Sequence, residues 1–341
     1  MILKSHAPLH WREQLKQAIT QVDQLAERLT LDPQALAAQI HPQAQAGHFA
    51  LKVPLAFVER MQPGRLDDPL LLQVLPLSAE LETPEGYVPD PLQEQAFNPL
   101  PGLIHKYRSR VLLTITGACA LHCRYCFRRH FPYSDNQPGG QQREAIVDYL
   151  YAHPEINEVI LSGGDPLSSP DAHLARWMAT LDAVPHIKRL RLHTRFPVAI
   201  PERIDDDLLA WVKTTRSQLV FVLHINHPQE LDARLIERLQ GLRAAGVTLL
   251  NQSVLMKNIN DSAQVLAELS ERLFEAGVLP YYLHLLDRVQ GAAHFALSAD
   301  EIESLYQQLL SALPGFLVPK LVREQPEQPS KTPLGWPFST R

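Results

Sequence analysis

Gly117 to Phe131 read GACALHCRYCFRRHF, and this stretch holds all 3 Cys of a 341-residue chain. Cys119, Cys123 and Cys126 follow the spacing C-x₃-C-x₂-C. An odd, tightly clustered set of thiols makes no disulfide framework, which leaves metal binding or redox chemistry. A zinc ion completed by His122 or His130 is one reading. A [4Fe–4S] cluster is the other, and since such a cluster takes four thiolates, one iron would stay open to another ligand.

The segments around the thiols place them in a fold. RVLLTIT comes just before them and reads as a strand. After them, β-rich runs such as EVILSG, RLRLHT, QLVFVLHI, VTLLNQSVLM and LPYYLHLL alternate with amphipathic segments, and GFLVPKLV closes the series. Regular strand–helix alternation forces parallel strands, because each helix returns the chain to the same end of the sheet. Six strands and a seventh edge run fit a partial (β/α)6-type barrel better than a flat α/β sheet, with chemistry at the strand C-terminal ends. Residues 1–100 read as a helical N-terminal extension, 101–321 as the α/β barrel and 322–341 as a C-terminal tail.

Composition narrows the function classes. The chain is 45% hydrophobic and 20% charged, the balance of a packed globule. Its net charge of −5 gives no basic field to draw in nucleic acid, so a small-molecule partner is expected. The N-terminus shows no apolar run with a cleavage site, and no stretch reaches the roughly 18 apolar residues of a membrane span. A cytoplasmic protein is the expectation.

The thiol motif resembles that of the radical S-adenosylmethionine (SAM) superfamily in its spacing and in the aromatic Tyr125 before its last Cys. The resemblance implies that SAM presents its amino and carboxylate groups to the open iron. Polar backbone beside the cluster must receive them, and Ser162, Gly163, Gly164 and Asp165, directly after the second strand, supply it. There the two glycines let backbone approach closely and Asp165 accepts from an ammonium.

From about Arg110 to Pro333 the chain resembles more narrowly the lysine 2,3-aminomutase family, radical SAM enzymes that also bind pyridoxal phosphate (PLP). HKYRSRVLL, CRYCFRRHF, LSGGDPL, HINHP, LLNQSVLMKNIND, PYYLHLLDRVQGAAHF and SKTP carry the match. It implies that Lys331 holds PLP and that Lys106, Tyr107 and Arg110 lie near the phosphate. Arg128 takes the substrate carboxylate in a fork, His224 and Gln252 lie near SAM and PLP, and Asp287 and Glu324 receive the ε-ammonium of L-lysine. Lys106 stands where the family has Arg, and Glu324 where it has Asp. The implied reaction moves the α-amino group of lysine to C3 by a radical route fed by a reductant such as flavodoxin or ferredoxin. The subset it most resembles is the short bacterial form that makes (R)-β-lysine for elongation factor P through a lysyl ligase, with a homo-oligomer possible. A glutamate aminomutase and a zinc-binding interaction module are the competing readings.

Overall fold

The computed structural model describes residues 9–45, 49–136 and 138–335. The expectations about a leader at the extreme N-terminus and about the last residues of the Pro-rich tail fall outside them. Among the described residues nine strands form one sheet, paired in sequence order: β1 (Leu103–Tyr107), β2 (Arg110–Thr116), β3 (Glu158–Gly163), β4 (Arg189–Thr194), β5 (Gln218–Leu223), β6 (Thr248–Val254), β7 (Leu279–His284), β8 (Lys320–Arg323) and β9 (Thr332–Pro333). From β2 to β8 each strand pairs parallel with the next, whereas β1 and β9 pair antiparallel at the two ends. The strand order never reverses, so the crossover helices fall on one face, and this decides for a barrel wall over a doubly wound sheet. The wall curls far enough that Lys106 of β1 meets Glu324, just past β8, at 2.8 Å. No strand pairing closes that seam among the described residues; side chains bridge it.

Strand alternation explains how the wall is built. Along β4, Leu190, Leu192 and Thr194 are buried under the helices, while Arg189, Arg191 and His193, with Arg195 just after the strand, line the interior. The outer helices bury leucines at helical spacing, as with Leu266, Leu269 and Leu273 on Ala263–Glu275. Before β1 the chain forms short helices. Asp32 and Asp68, each followed by Pro, cap two of them with side-chain oxygens. This extension shares one apolar core with the barrel: Leu25, Phe57 and Leu70 belong to the cluster that holds Leu161, Leu192, Phe221 and Trp177.

Candidate active site and cofactor cavity

A cavity of about 450 Å³ runs inside the barrel, and every candidate residue named above lines it except His122 and His130. At its upper end lies the thiol loop, which follows β2. Residues of the N-terminal extension hold this loop: Lys52 Nζ donates to the Cys119 carbonyl at 2.7 Å, the His122 amide donates to Lys52 O at 3.1 Å, and the Arg124 amide to Gln73 O at 2.9 Å. The His122 ring is spent on structure, with Nδ1 2.7 Å from Ala50 O and its face stacked on Phe49. Three ligands of one zinc ion, each about 2.3 Å away, stay within roughly 4.6 Å of one another. Among the described residues no set of three drawn from these sulfurs and histidines meets even a 4.8 Å limit. Burial pushes the Cys119 and Cys126 thiols up, Cys126 to about 11, so ligation must release their protons.

The glycines after β3 serve the thiol loop directly. A Cβ on Gly164 would stand 2.5 Å from Ala118 O and 2.6 Å from Gly117 O, and the Gly164 and Asp165 amides donate to Thr116 O and Ala118 O at 2.8 Å. Gly163, at φ +117°, is in the left-handed region that favours glycine. Asp165 differs from its expected role as an ammonium acceptor. Its carboxylate accepts from Thr194 Oγ1 (2.7 Å) and from the amides of Leu167 (3.0 Å), Arg195 (2.7 Å) and Phe196 (2.9 Å). The side chain is a clasp between the loops after β3 and β4; burial raises its carboxyl to about 6 against the pull of these donors.

Arg128 is buried with Glu94. Its Nε and Nη2 donate to the two Glu94 oxygens at 2.7 and 2.6 Å, and Nη1 donates to Ser162 Oγ at 2.9 Å. One edge of the guanidinium is thereby fixed, and one N–H on each terminal nitrogen remains for a carboxylate. No sequence pattern marks Glu94, which arrives on a single turn of the N-terminal extension.

Glu324 gathers the lower group. It accepts from Lys106 Nζ at 2.8 Å, from the Tyr107 hydroxyl and from Lys331 Nζ at 2.5 Å. Burial alone would raise its carboxyl, but the Lys331 charge and the three donors outweigh it and bring it down to about 2. Lys331 is delivered by the pairing of Thr332 and Pro333 with β8. Arg110 lies over the Tyr107 ring at 4.1 Å and has no acidic partner among the described residues. His224, which burial brings down to about 3, meets Gln252 at 2.6 Å. The Asp287 carboxylate has no hydrogen-bond partner among the described residues, and burial raises it to about 7. His193 and His284 also line the cavity, each with a buried Nε2 that lacks a partner. In RLRLHTR, charges at every second position of an inward strand face, where barrels normally place branched apolar residues, are the signal that could have found Arg191, His193 and Arg195.

A parallel barrel with three thiols after its first parallel strand and a glycine-built rim after the next defines a radical SAM protein, and residues 113–269 match the Radical SAM superfamily. Among curated proteins the chain is 48% identical over 324 residues to L-lysine 2,3-aminomutase of Escherichia coli K12, covering 95% of this chain and 94% of that one. The enzyme of the same name from Haemophilus influenzae is 47% identical, with 95% of each chain covered. That from Clostridium subterminale is 32% identical over 95% of this chain and 77% of its own. The chain belongs to the lysine 2,3-aminomutase family of radical SAM enzymes, and it corresponds to the short bacterial form. Among the described residues no helix is long and apolar enough to cross a membrane.

Proposed function

We propose that the chain converts L-lysine to (R)-β-lysine, moving the α-amino group from C2 to C3. One observation carries the reading: a tail lysine, Lys331, opens into the same cavity as the three Cys, so an amine-bound cofactor and a cluster would share one space. When bound, the cluster and SAM supply a carbon radical that takes hydrogen from C3, and PLP carries the migrating nitrogen. Cys119, Cys123 and Cys126 would hold three irons, leaving the fourth to SAM. Ser162, the backbone of Gly163 and Gly164, His224 and Gln252 line the space SAM would fill.

The residues also fit PLP. Lys331 offers the amine, and Lys106, Tyr107 and the acid-free Arg110 offer donors and positive charge for a phosphate. The open edge of Arg128 suits the substrate carboxylate. Asp287, a carboxylate without a partner, suits the ε-ammonium and would repel the side chain of glutamate. Glu324 would join Asp287 there, exchanging the ammonium of Lys331 for that of the substrate.

Anaerobic incubation with SAM, PLP, dithionite and a panel of amino acids tests the reading: β-lysine from lysine supports it, and faster conversion of glutamate or alanine overturns it. We extend it to a cytoplasmic enzyme fed by flavodoxin or ferredoxin, whose β-lysine goes to elongation factor P through a lysyl ligase. Its resemblance to the short bacterial form supports this extension. Deleting the gene should then remove the β-lysyl mass from that factor.

A further inference from the structure

Of the cavity's arginines, Arg189, Arg191 and Arg195 serve neither substrate nor phosphate, and Arg195 is the one that reaches a thiol. Arg195 follows β4, and all four of its terminal N–H groups have an acceptor. Nη1 donates to Cys123 Sγ at 2.9 Å and to the Tyr125 hydroxyl at 2.5 Å; Nη2 donates to Gln73 Oε1 at 2.6 Å and to Glu230 Oε2 at 2.9 Å. The frame around it is closed as well. Asn226 Nδ2 donates to both the Tyr125 hydroxyl (2.6 Å) and Gln73 Oε1 (2.9 Å), and Gln73 Nε2 donates to Glu230 Oε1 at 3.2 Å. Glu230 is fully buried and Arg195 nearly so. Asp165 fixes the backbone on which Arg195 stands by accepting its amide. The clasp after β3, the loop after β4, the loop after β5 and the N-terminal extension thus converge on one sulfur.

A buried ion pair contributes little net stability, because desolvating two charges offsets their attraction. This one instead aims a guanidinium at a thiol that the account assigns to iron. We propose that Arg195 is a positioning residue for the iron–sulfur cluster, donating to the Cys123 sulfur so as to favour the reduced cluster. The inference rests on the cluster reading of Cys119, Cys123 and Cys126. Its physical basis is general: a cationic donor on a ligand sulfur stabilises added negative charge, and the dry surroundings of Arg195 leave that effect little screened. The step concerned is the transfer of one electron from an external low-potential reductant to the oxidised cluster, which becomes reduced by one electron.

The test is an EPR-monitored redox titration of anaerobically reconstituted protein, without SAM or lysine, beside its iron content. Arg195→Gln combined with Glu230→Gln removes the donor without leaving a buried acid unpaired. Arg195→Lys keeps the charge against Glu230, but a single ammonium cannot serve both Glu230 and the sulfur. Both variants should hold the full complement of iron, with the midpoint shifted to more negative potential, further in the double variant. Loss of iron from a variant that still melts cooperatively supports the same role. A full cluster at the wild-type potential overturns it, and Arg195→Lys alone decides the matter if the double variant fails to fold. A wild-type protein that assembles no cluster refutes the functional reading beneath the inference, a separate outcome.

Discussion

Lys331 Nζ lies 2.5 Å from Glu324 Oε2, and the same carboxylate accepts from Lys106 across the open seam of the barrel. The tail lysine is therefore held inside the cavity by the residue that closes the wall. Borohydride reduction of PLP-loaded protein should fix the cofactor on Lys331 as a secondary amine found in its tryptic peptide. Lys331→Ala should lose the bound-PLP absorbance and keep its iron. Label on another lysine would sink the assignment.

The thiols make a sharper demand. With only 3 Cys in the chain, replacing any one of Cys119, Cys123 or Cys126 by Ala leaves two protein ligands. Iron content and visible absorbance should collapse together. A single variant that keeps four irons would show another ligand at work.

Asp287 links pH to both stability and binding. Burial raises its carboxyl from 3.8 to about 7, so between those values the folded chain keeps a proton that the unfolded chain has released. The stability of the ligand-free protein should then fall as pH rises through that window. Asp287→Asn should be the more stable protein at pH 8, by on the order of a few kcal/mol, with the gap closing towards pH 4. Thermal melts across pH measure this. The same variant should bind lysine roughly a hundredfold more weakly, since an ammonium loses its only unshared carboxylate. Equal lysine affinity would refute the role.

Glu94 orients Arg128, and the pair is buried, at 12% and 7% side-chain exposure. Glu94→Gln should lower stability by on the order of 3 kcal/mol, because it leaves a buried guanidinium without its counter-charge. It should also raise the KM for lysine more than it lowers kcat. Melting curves and steady-state kinetics check both, and an unchanged KM would detach Glu94 from substrate binding.

Much of this was legible in the sequence where a local pattern has one structural outcome. Strand–helix alternation gave the barrel, and the thiol spacing with SGGD marked the rim. Strands β1 and β9 were not legible: LIHKY and the two residues after Lys331 carry too short a pattern, and only pairing with β2 and β8 makes them strands. Asp165 was found, but its carboxylate turned inward to backbone amides that no sequence reading could put near it. Glu94 was missed for the same reason, since Arg128 lies 34 residues away along the chain; the alternating charges of RLRLHTR could have marked Arg195 as inward-facing, but not its Cys123 partner 72 residues away.

The central claim is that nitrogen moves within one lysine molecule. Anaerobic turnover of lysine labelled with ¹⁵N at the α-amino group, in the presence of excess unlabelled ammonium, tests it most directly. The account predicts β-lysine that carries the full label at C3, formed only when SAM and reductant are both present. Unlabelled β-lysine, or product formed without SAM, would contradict it.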